Sequence, residues 1–501
     1  MAKHVVLYTI PSWGHAKPLV AFMVLVAELR MDVVFTFIAN VRYPNIMGEL
    51  AKLPRERLEN IKDRIHVMNV PNPSAQGPGP ARNDPGFAHA FGILWRSETL
   101  KCGTTGKEIS GLPRLSLAII DPFAGYAINA IRSLASPQET PIFSWMSGPV
   151  GTFTLMFGPK QLGGLGDIGS KAEKEVSETV GNSATEILTT TGEIVNIPGY
   201  PPMFDYELFP QDIDFSVAMT VVPIIRKSIQ SSEGTLFVTA SCVEAEAIAA
   251  LREHFTNELG KELIPVGLAS SVIPEPPLAK DDEGVVLFLD RILKEYGEKS
   301  LIYVAFGTTW WPKDPTKIYT LIDELLQART PFLLPQSSPL AHIPDDIMSK
   351  VAASGLGKIV KWAPQETVLQ HSVTGWFITH GGWNSVQEGF RFKVPLIFWP
   401  MAGDQPINAS LITLKYRAAF EIISVQSGKN MKRPYRCDVQ PSFTVEAVRE
   451  EVRRMLLRIG NGEGDSVRKT AYKLSEEISN VWREGGEAMV EIEGFLRKYV
   501  D

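Results

Sequence analysis

The chain has 501 residues, 44% hydrophobic and 21% charged, with 36 prolines and 40 glycines dispersed along it; this carries no signature of disorder and, at roughly 150 residues per domain, implies two or three domains, two large ones being the expectation. A formal charge of −6 supplies no basic footprint for nucleic acid or a membrane surface. Cys102, Cys242 and Cys437 are odd in number and widely spaced, which argues against a disulfide framework or zinc cluster and for a reducing compartment.

The N-terminal run "HVVLYTI" is too short for a signal peptide and meets proline and glycine at once. A helical pattern near 19–29 follows, and the short runs "DVVFTFI", "RIHVMNV", "LSLAIID", "TPIFSW" and "TLFVTA" then alternate with longer helix-like segments. Such alternation predicts βα units on a buried parallel sheet. Two irregular stretches interrupt it, 69–86 and roughly 150–215, and long ordered loops usually serve binding. A second series begins at "SLIYVAFG" and runs through "TPFLL", "GKIVKW", "GWFITH", "VPLIFW" and "AAFEII". Between the two, "GLASSVIPEPPLAKDDEG" at 267–284 has the prolines and acidic run of an exposed linker. Near the end Val467, Ala471, Leu474, Ile478 and Val481 recur at three- and four-residue steps, as do Met489, Ile492, Leu496 and Tyr499, with Gly485 and Gly486 separating two helices. The predicted organisation is an N-terminal domain over 1–266, a linker over 267–284, a C-terminal domain over 285–475, and terminal helices over 476–501 that pack back on the first domain. No stretch reaches about 18 uninterrupted apolar residues, so a transmembrane anchor is not expected and a soluble, cytoplasmic monomer is.

The stretch "THGGWNSVQEG" at 379–389 sets His380, two glycines and the polar pair Asn384 and Ser385 between an apolar run and a helical one. Glycines let backbone approach a ligand and a helix N-terminus offers N–H groups to an anion, so a phosphate is the expected guest. No lysine lies in the turn and the Walker A spacing is absent, so the guest is not held as an ATPase holds a triphosphate. Upstream, Trp362 follows a strand beside a Pro-containing turn, where a flat indole can stack on a base while neighbouring backbone groups read its edge. Asn384 and Glu388, four apart, share a helix face. Asp404 and Gln405 lie on the loop after "LIFWP", where they can hydrogen-bond hydroxyl groups of a ligand. In the first half, His15 of "IPSWGHAKPLV" sits between strand and helix, and Asp121 of "AIIDPFAG" ends another predicted strand at the same sheet edge. An imidazole of pKa near 6.5 can accept a proton at neutral pH, and an aspartate can hold its tautomer and stabilise its charge. Taken singly, each has a plainer reading: a lone tryptophan is more often core, a glutamate on a helix is usually solvated, His15 could cap a helix and Asp121 start a turn.

The joint spacing overturns those readings. From 362 to 405 runs "WAPQETVLQHSVTGWFITHGGWNSVQEGFRFKVPLIFWPMAGDQ", which resembles the donor-binding box of the family 1 UDP-dependent glycosyltransferases. WAPQ, VLxH, GxFxTHGGWNS, the glutamate of SVxEG, VPxxxxP and the final DQ all stand in register, and the order of sheets, linker and terminal helices is also the family's. The resemblance implies an α/β chain of two Rossmann-like parallel-sheet domains facing a cleft, the GT-B fold, with ligands at the carboxyl ends of strands. It implies uracil on Trp362, beside Ala363 and Gln365, and ribose at Glu388. Diphosphate would meet His380, the turn of Gly382, Trp383, Asn384 and Ser385, and Thr308 of "FGTTW"; Asp404 and Gln405 would read the sugar. The family's GHxxP element makes His15 the general base, with Asp121 its partner. The function so implied is inverting transfer of a sugar, by default glucose, from a UDP-sugar co-substrate to a hydroxyl of a small aromatic or lipophilic acceptor, with no cofactor, and with no metal cluster visible in the spacing. The GHAKP variant and the missing C-terminal anchor suggest a soluble fungal-type member. One departure is "WMSGP", where plant relatives read WTAGP and the threonine hydroxyl contacts the sugar near its 6-hydroxymethyl group; Met146 stands in its place, unless it points into the core and Ser147 supplies the contact. Two rivals keep the donor box: a UDP-sugar epimerase or hydrolase on the same fold, which needs different first-half chemistry, and a non-catalytic UDP-sugar-binding protein, which would lose the base.

Overall fold

The computed structural model describes residues 3–70, 85–166, 168, 190–212, 216–269, 272–274 and 284–500. Of the irregular stretches and linker expected from sequence, 71–84, 167, 169–189, 213–215, 270, 271 and 275–283 lie outside the described residues. The chain divides into two compact units, Met1–Thr189 with Phe215–Pro274 and Asn480–Asp501, and Thr190–Asp214 with Glu275–Ser479.

The first series of apolar runs becomes one parallel sheet. Its strands are β1 (Lys3–Tyr8), β2 (Val33–Ala39), β3 (Ile65–Asn69), β4 (Leu115–Ile120), β5 (Ile142–Met146), β6 (Gly234–Phe237) and β7 (Glu262–Pro265), in the order β7-β6-β5-β4-β1-β2-β3. Nearly every residue of β1, β4 and β6 is buried, as expected of strands covered on both faces by crossover helices. The helix Trp13–Leu29 follows β1 and begins earlier than its sequence pattern suggests, so His15 stands inside its first turn rather than between strand and helix. The reason is packing: Ala16, Leu19, Val20, Phe22, Met23, Val24, Val26 and Ala27 are all buried, so no amphipathic period marks the helix start, and tertiary contacts such as Phe22 against Trp145, 5.3 Å between ring centroids, carry it through Pro18. The terminal helix Glu487–Tyr499 packs on this same sheet. The rings of Phe495 and Tyr499 lie 4.8 and 4.6 Å from that of Phe143, and Ile492 and Leu496 are buried.

The second unit repeats the design with β8 (Leu301–Ala305), β9 (Phe332–Pro335), β10 (Gly357–Val360), β11 (Thr374–Thr379), β12 (Leu396–Phe398) and β13 (Ala419–Glu421), all parallel in the order β10-β9-β8-β11-β12-β13. Residues 190–212 belong to this unit. There the Tyr206 hydroxyl donates to the Arg433 carbonyl (2.7 Å), Glu207 accepts from the Tyr435 amide (2.8 Å), and Gln211 accepts from the Lys313 amide (2.8 Å). In each sheet the strand order reverses once, between β1 and β4 and between β8 and β11. At such a point successive crossovers leave on opposite faces, and the crevice at the strands' carboxyl ends is where doubly wound sheets bind ligands. Among the described residues no helix is long and apolar enough to cross a membrane.

Candidate active site

His15 and Asp121 stand at the reversal point of the first sheet, one after β1 and one after β4. His15 Nδ1 lies 2.9 Å from Asp121 Oδ2. An ionised carboxylate only accepts, so Nδ1 carries the proton and Nε2 is the basic nitrogen. Asp121 is wholly buried and held on both oxygens: Oδ2 also accepts from the Ile10 amide (3.2 Å) and Oδ1 from the Phe123 amide (3.0 Å). The Phe123 ring meets the imidazole edge-on at 4.8 Å and 87°. Two loops thus fix the carboxylate, and the carboxylate and one ring fix the histidine. Phe123 was not foreseen from sequence; its place two residues after Asp121 was the available signal.

The equivalent point of the second sheet holds the turn 380–382 after β11 and Thr308 after β8, on an exposed loop. His380 is buried, and desolvation lowers its pKa to about 4, so at neutral pH the imidazole is uncharged and donates through a single N–H. Glycine at 382 serves this ring as much as any ligand: a Cβ there would lie 2.6 Å from His380 Nε2. Gly381 has a φ of +88°, in the left-handed region, and a Cβ on it would meet the Phe398 ring at 2.6 Å. The helix Trp383–Arg391 starts directly after, with Gly382 as its N-cap and no acidic residue in its first turn, which leaves the positive end of its dipole uncompensated by its own side chains.

Near that helix the structure brings Gln365 together with Ser385 and Glu388. Trp362 is 58% exposed while its neighbour Ala363 is buried, so the indole is not a core side chain. Gln365 donates to Glu388 (2.5 Å) and lies 3.4 Å from the Ser385 hydroxyl, so Glu388, itself buried, is oriented by the residue three after the tryptophan. The buried Tyr303 hydroxyl lies 3.5 Å from Gln365 Oε1, and desolvation, with the Glu388 charge adding, pushes its pKa up. Asn384 Oδ1 accepts from Gln387 at 3.3 Å.

Asp404 and Gln405 close the loop after β12. Asp404 Oδ2 accepts from the Trp383 amide (3.2 Å) and from Asn408 Nδ2 (2.8 Å); Gln405, 1% exposed, accepts from the Met401 and Ala402 amides at 2.8 and 3.1 Å. Gln405 therefore shapes its own loop and Asp404 ties that loop to the start of the helix Trp383–Arg391, roles not expected from sequence. Met146 is the last residue of β5 and is partly exposed, so it is not a core side chain.

Residues 239–430 match the family described as UDP-glucoronosyl and UDP-glucosyl transferase. Over 510 aligned residues, 97% of this chain and 96% of the other, the protein is 25% identical to the UDP-glycosyltransferase eriJ of Hericium erinaceus. It is 29% identical to the zeatin O-xylosyltransferase of Phaseolus vulgaris over 62% of this chain and 67% of that one. Among solved structures, a ugt transferase from Siraitia grosvenorii in complex with UDP superposes with a TM-score of 0.70 over the whole of both chains at 17% identity, a likeness of fold. Taken with two doubly wound parallel sheets and the in-register box at the reversal point of the second, these likenesses show the GT-B fold and a UDP-glycosyltransferase enzyme whose residues 239–430 match that family's model.

Proposed function

We propose that the enzyme transfers a sugar, glucose by preference, from a UDP-sugar to a hydroxyl of a small aromatic or lipophilic acceptor with inversion at the anomeric carbon. The observation that carries this reading is the His15–Asp121 pair, 2.9 Å apart with the carboxylate buried: a protein that only bound UDP-sugars would have no use for a positioned base. Nε2 of His15 takes the hydroxyl proton as the acceptor oxygen attacks the anomeric carbon. The bond from that carbon to the distal phosphate oxygen breaks, and the electron pair leaves with UDP. Asp121 steadies the imidazolium through Nδ1. Charge gathering on the diphosphate meets His380, Thr308, and the amides of the turn 381–385 at a helix N-terminus, donors that act without a metal ion. Trp362 stacks the uracil with Ala363 and Gln365 beside it, Glu388 takes the ribose hydroxyls, and Asp404 and Gln405 read the sugar. The partly exposed Phe123 ring beside the imidazole favours a flat apolar acceptor. The odd number and wide spacing of Cys102, Cys242 and Cys437 support a reducing, cytoplasmic setting, and we read the protein as a monomer there.

UDP release with and without a phenolic acceptor tests the reading. Release that depends on acceptor supports transfer. Release independent of acceptor identifies a hydrolase, and no release with any UDP-sugar identifies a binding protein.

A further inference from the structure

Two loops shape the proposed sugar end of the donor site, the turn after β11 and the loop after β12, and one side chain joins them. Asn408 is wholly buried in the helix Gln405–Ser410. Its Nδ2 donates to the Gly381 carbonyl at 3.0 Å and to Asp404 Oδ2 at 2.8 Å. Both partners only accept, so the amide cannot be turned round. Its Oδ1 then faces no donor and is left buried without a hydrogen bond, an unfavourable state that an apolar side chain of the same size would avoid. An asparagine here is therefore explained by what its N–H groups do.

What they do is set the rotation of the Asp404 carboxylate. Oδ2 is held by two donors from different directions, Asn408 Nδ2 and the Trp383 amide at 3.2 Å. Two bonds to one oxygen fix the carboxylate plane, so any hydroxyl that Asp404 accepts from a ligand is met in that plane. The Trp383 amide belongs to the helix that follows the diphosphate turn, and Gly381 to the turn itself. The direction in which Asp404 faces is thus tied to the position of the diphosphate turn, by a residue that lies outside the donor box and is buried from any ligand.

We propose that Asn408 is the positioning residue of the sugar site: by fixing Asp404 against the Gly381 carbonyl it sets discrimination among donor sugars by the pattern of their ring hydroxyls, while leaving affinity for the nucleotide alone untouched. The inference rests on the reading above in which Asp404 accepts from the sugar.

The experiment measures kcat/KM for UDP-glucose, UDP-xylose and UDP-galactose, together with the Kd of UDP by calorimetry, in the full-length protein and in Asn408→Leu, Asp404→Asn and the double variant. Asn408→Leu removes the donor without leaving an orphaned oxygen; Asn408→Ser, whose hydroxyl cannot span both acceptors, serves in its place if the leucine variant does not fold. Ser410→Ala, which removes a buried hydroxyl bonded to the Ile407 carbonyl at 3.0 Å on the same helix, controls for general loosening. The expected result is a ratio of glucose to galactose turnover that falls about tenfold in Asn408→Leu, with UDP Kd within about twofold of the parent, and no further fall when Asp404→Asn is added, as for residues acting as one unit. Ser410→Ala should leave both quantities unchanged. A sugar ratio unmoved by Asn408→Leu while Asp404→Asn moves it, or effects that simply add, would overturn the role of Asn408 alone. A ratio unmoved by Asp404→Asn would overturn the sugar-reading assignment and this inference with it.

Discussion

His15 Nδ1, in the first helical turn after β1, and Asp121 Oδ2, directly after β4, lie 2.9 Å apart at the reversal point of the first sheet, and the Ile10 and Phe123 amides hold the same carboxylate. In the proposed reaction this base works on the acceptor, not on the nucleotide. His15→Ala should therefore lower kcat by roughly 10²–10⁴-fold, the usual contribution of a general base, while UDP affinity measured by calorimetry stays within a few fold. Asp121→Asn should lose less, because it removes orientation and charge stabilisation but keeps the base. Near-normal turnover of phenols by His15→Ala would overturn the assignment.

Gly382→Ala isolates the proposed diphosphate turn. Gly382 has a φ of −60°, which any residue adopts, so the backbone is not strained; but the added Cβ would lie 2.6 Å from His380 Nε2 and must displace the ring. Thermal stability should be near that of the parent and kcat should fall roughly 10²-fold or more, as when a donor to developing charge is lost. An unchanged kcat at saturating donor would show that His380 has no part in leaving-group stabilisation.

Trp362 is 58% exposed, so Trp362→Ala carries little stability penalty and reports on binding alone. Its donor KM should rise by an amount corresponding to about 1–3 kcal/mol of stacking, with kcat unchanged. Glu388→Gln should also raise donor KM. A KM for donor unaffected by Trp362→Ala would remove the indole from the base site.

How much of this was legible in the sequence depends on how local each feature is. The donor box could be read because strand, turn and helix follow one another from β11 into 383–391, so that His380, Gly382, Asn384 and Glu388 keep fixed spacings. The dyad was legible only through the resemblance, since nothing in the spacing of His15 and Asp121 shows that β1 and β4 are neighbours. What escaped was contact between segments. The glycine at 382 makes room for a histidine ring, Asp404 is bonded to the start of the helix Trp383–Arg391, Asn408 ties that aspartate to Gly381, and residues 190–212 join the second unit through single hydrogen bonds. None of these leaves a periodic trace. The start of the helix Trp13–Leu29 was missed for the opposite reason, since burial on all sides erases the period that would mark it.

Acid should weaken the fold in a window set by its buried histidines. Burial lowers the pKa of His4, whose Nε2 lies 2.8 Å from the Thr36 hydroxyl, to about 4. The unfolded chain binds a proton near 6.5 and the folded one does not, so this contribution to stability is fully present above about pH 6.5 and is lost as pH falls towards 4. Between pH 7 and pH 5 the loss is on the order of 2 kcal/mol for His4. Urea unfolding of the parent and of His4→Gln at both pH values checks this: the variant should show a smaller difference between them, and an equal difference would remove His4 as the source.

Met146 ends β5 and is partly exposed, and a thioether accepts hydrogen bonds only weakly. If it stands where a sugar-reading hydroxyl stands in relatives, glucose lacks one contact at its 6-position, worth about 1 kcal/mol, and UDP-xylose, which has no such carbon, lacks nothing. UDP-glucose should remain the better or near-equal donor, UDP-xylose should be usable, and Met146→Thr should shift the kcat/KM ratio towards glucose by several fold. A ratio unmoved by that substitution would show that Met146 does not read the sugar.

The central claim is inverting transfer to an acceptor hydroxyl, and the anomeric configuration of the product tests it most directly. The purified protein is incubated with UDP-glucose, whose sugar is α-linked, and a panel of phenols, and the product is identified by mass spectrometry and its anomeric proton coupling by NMR. The account predicts a β-glucoside; an α-glucoside, or free glucose formed equally well without acceptor, would contradict it.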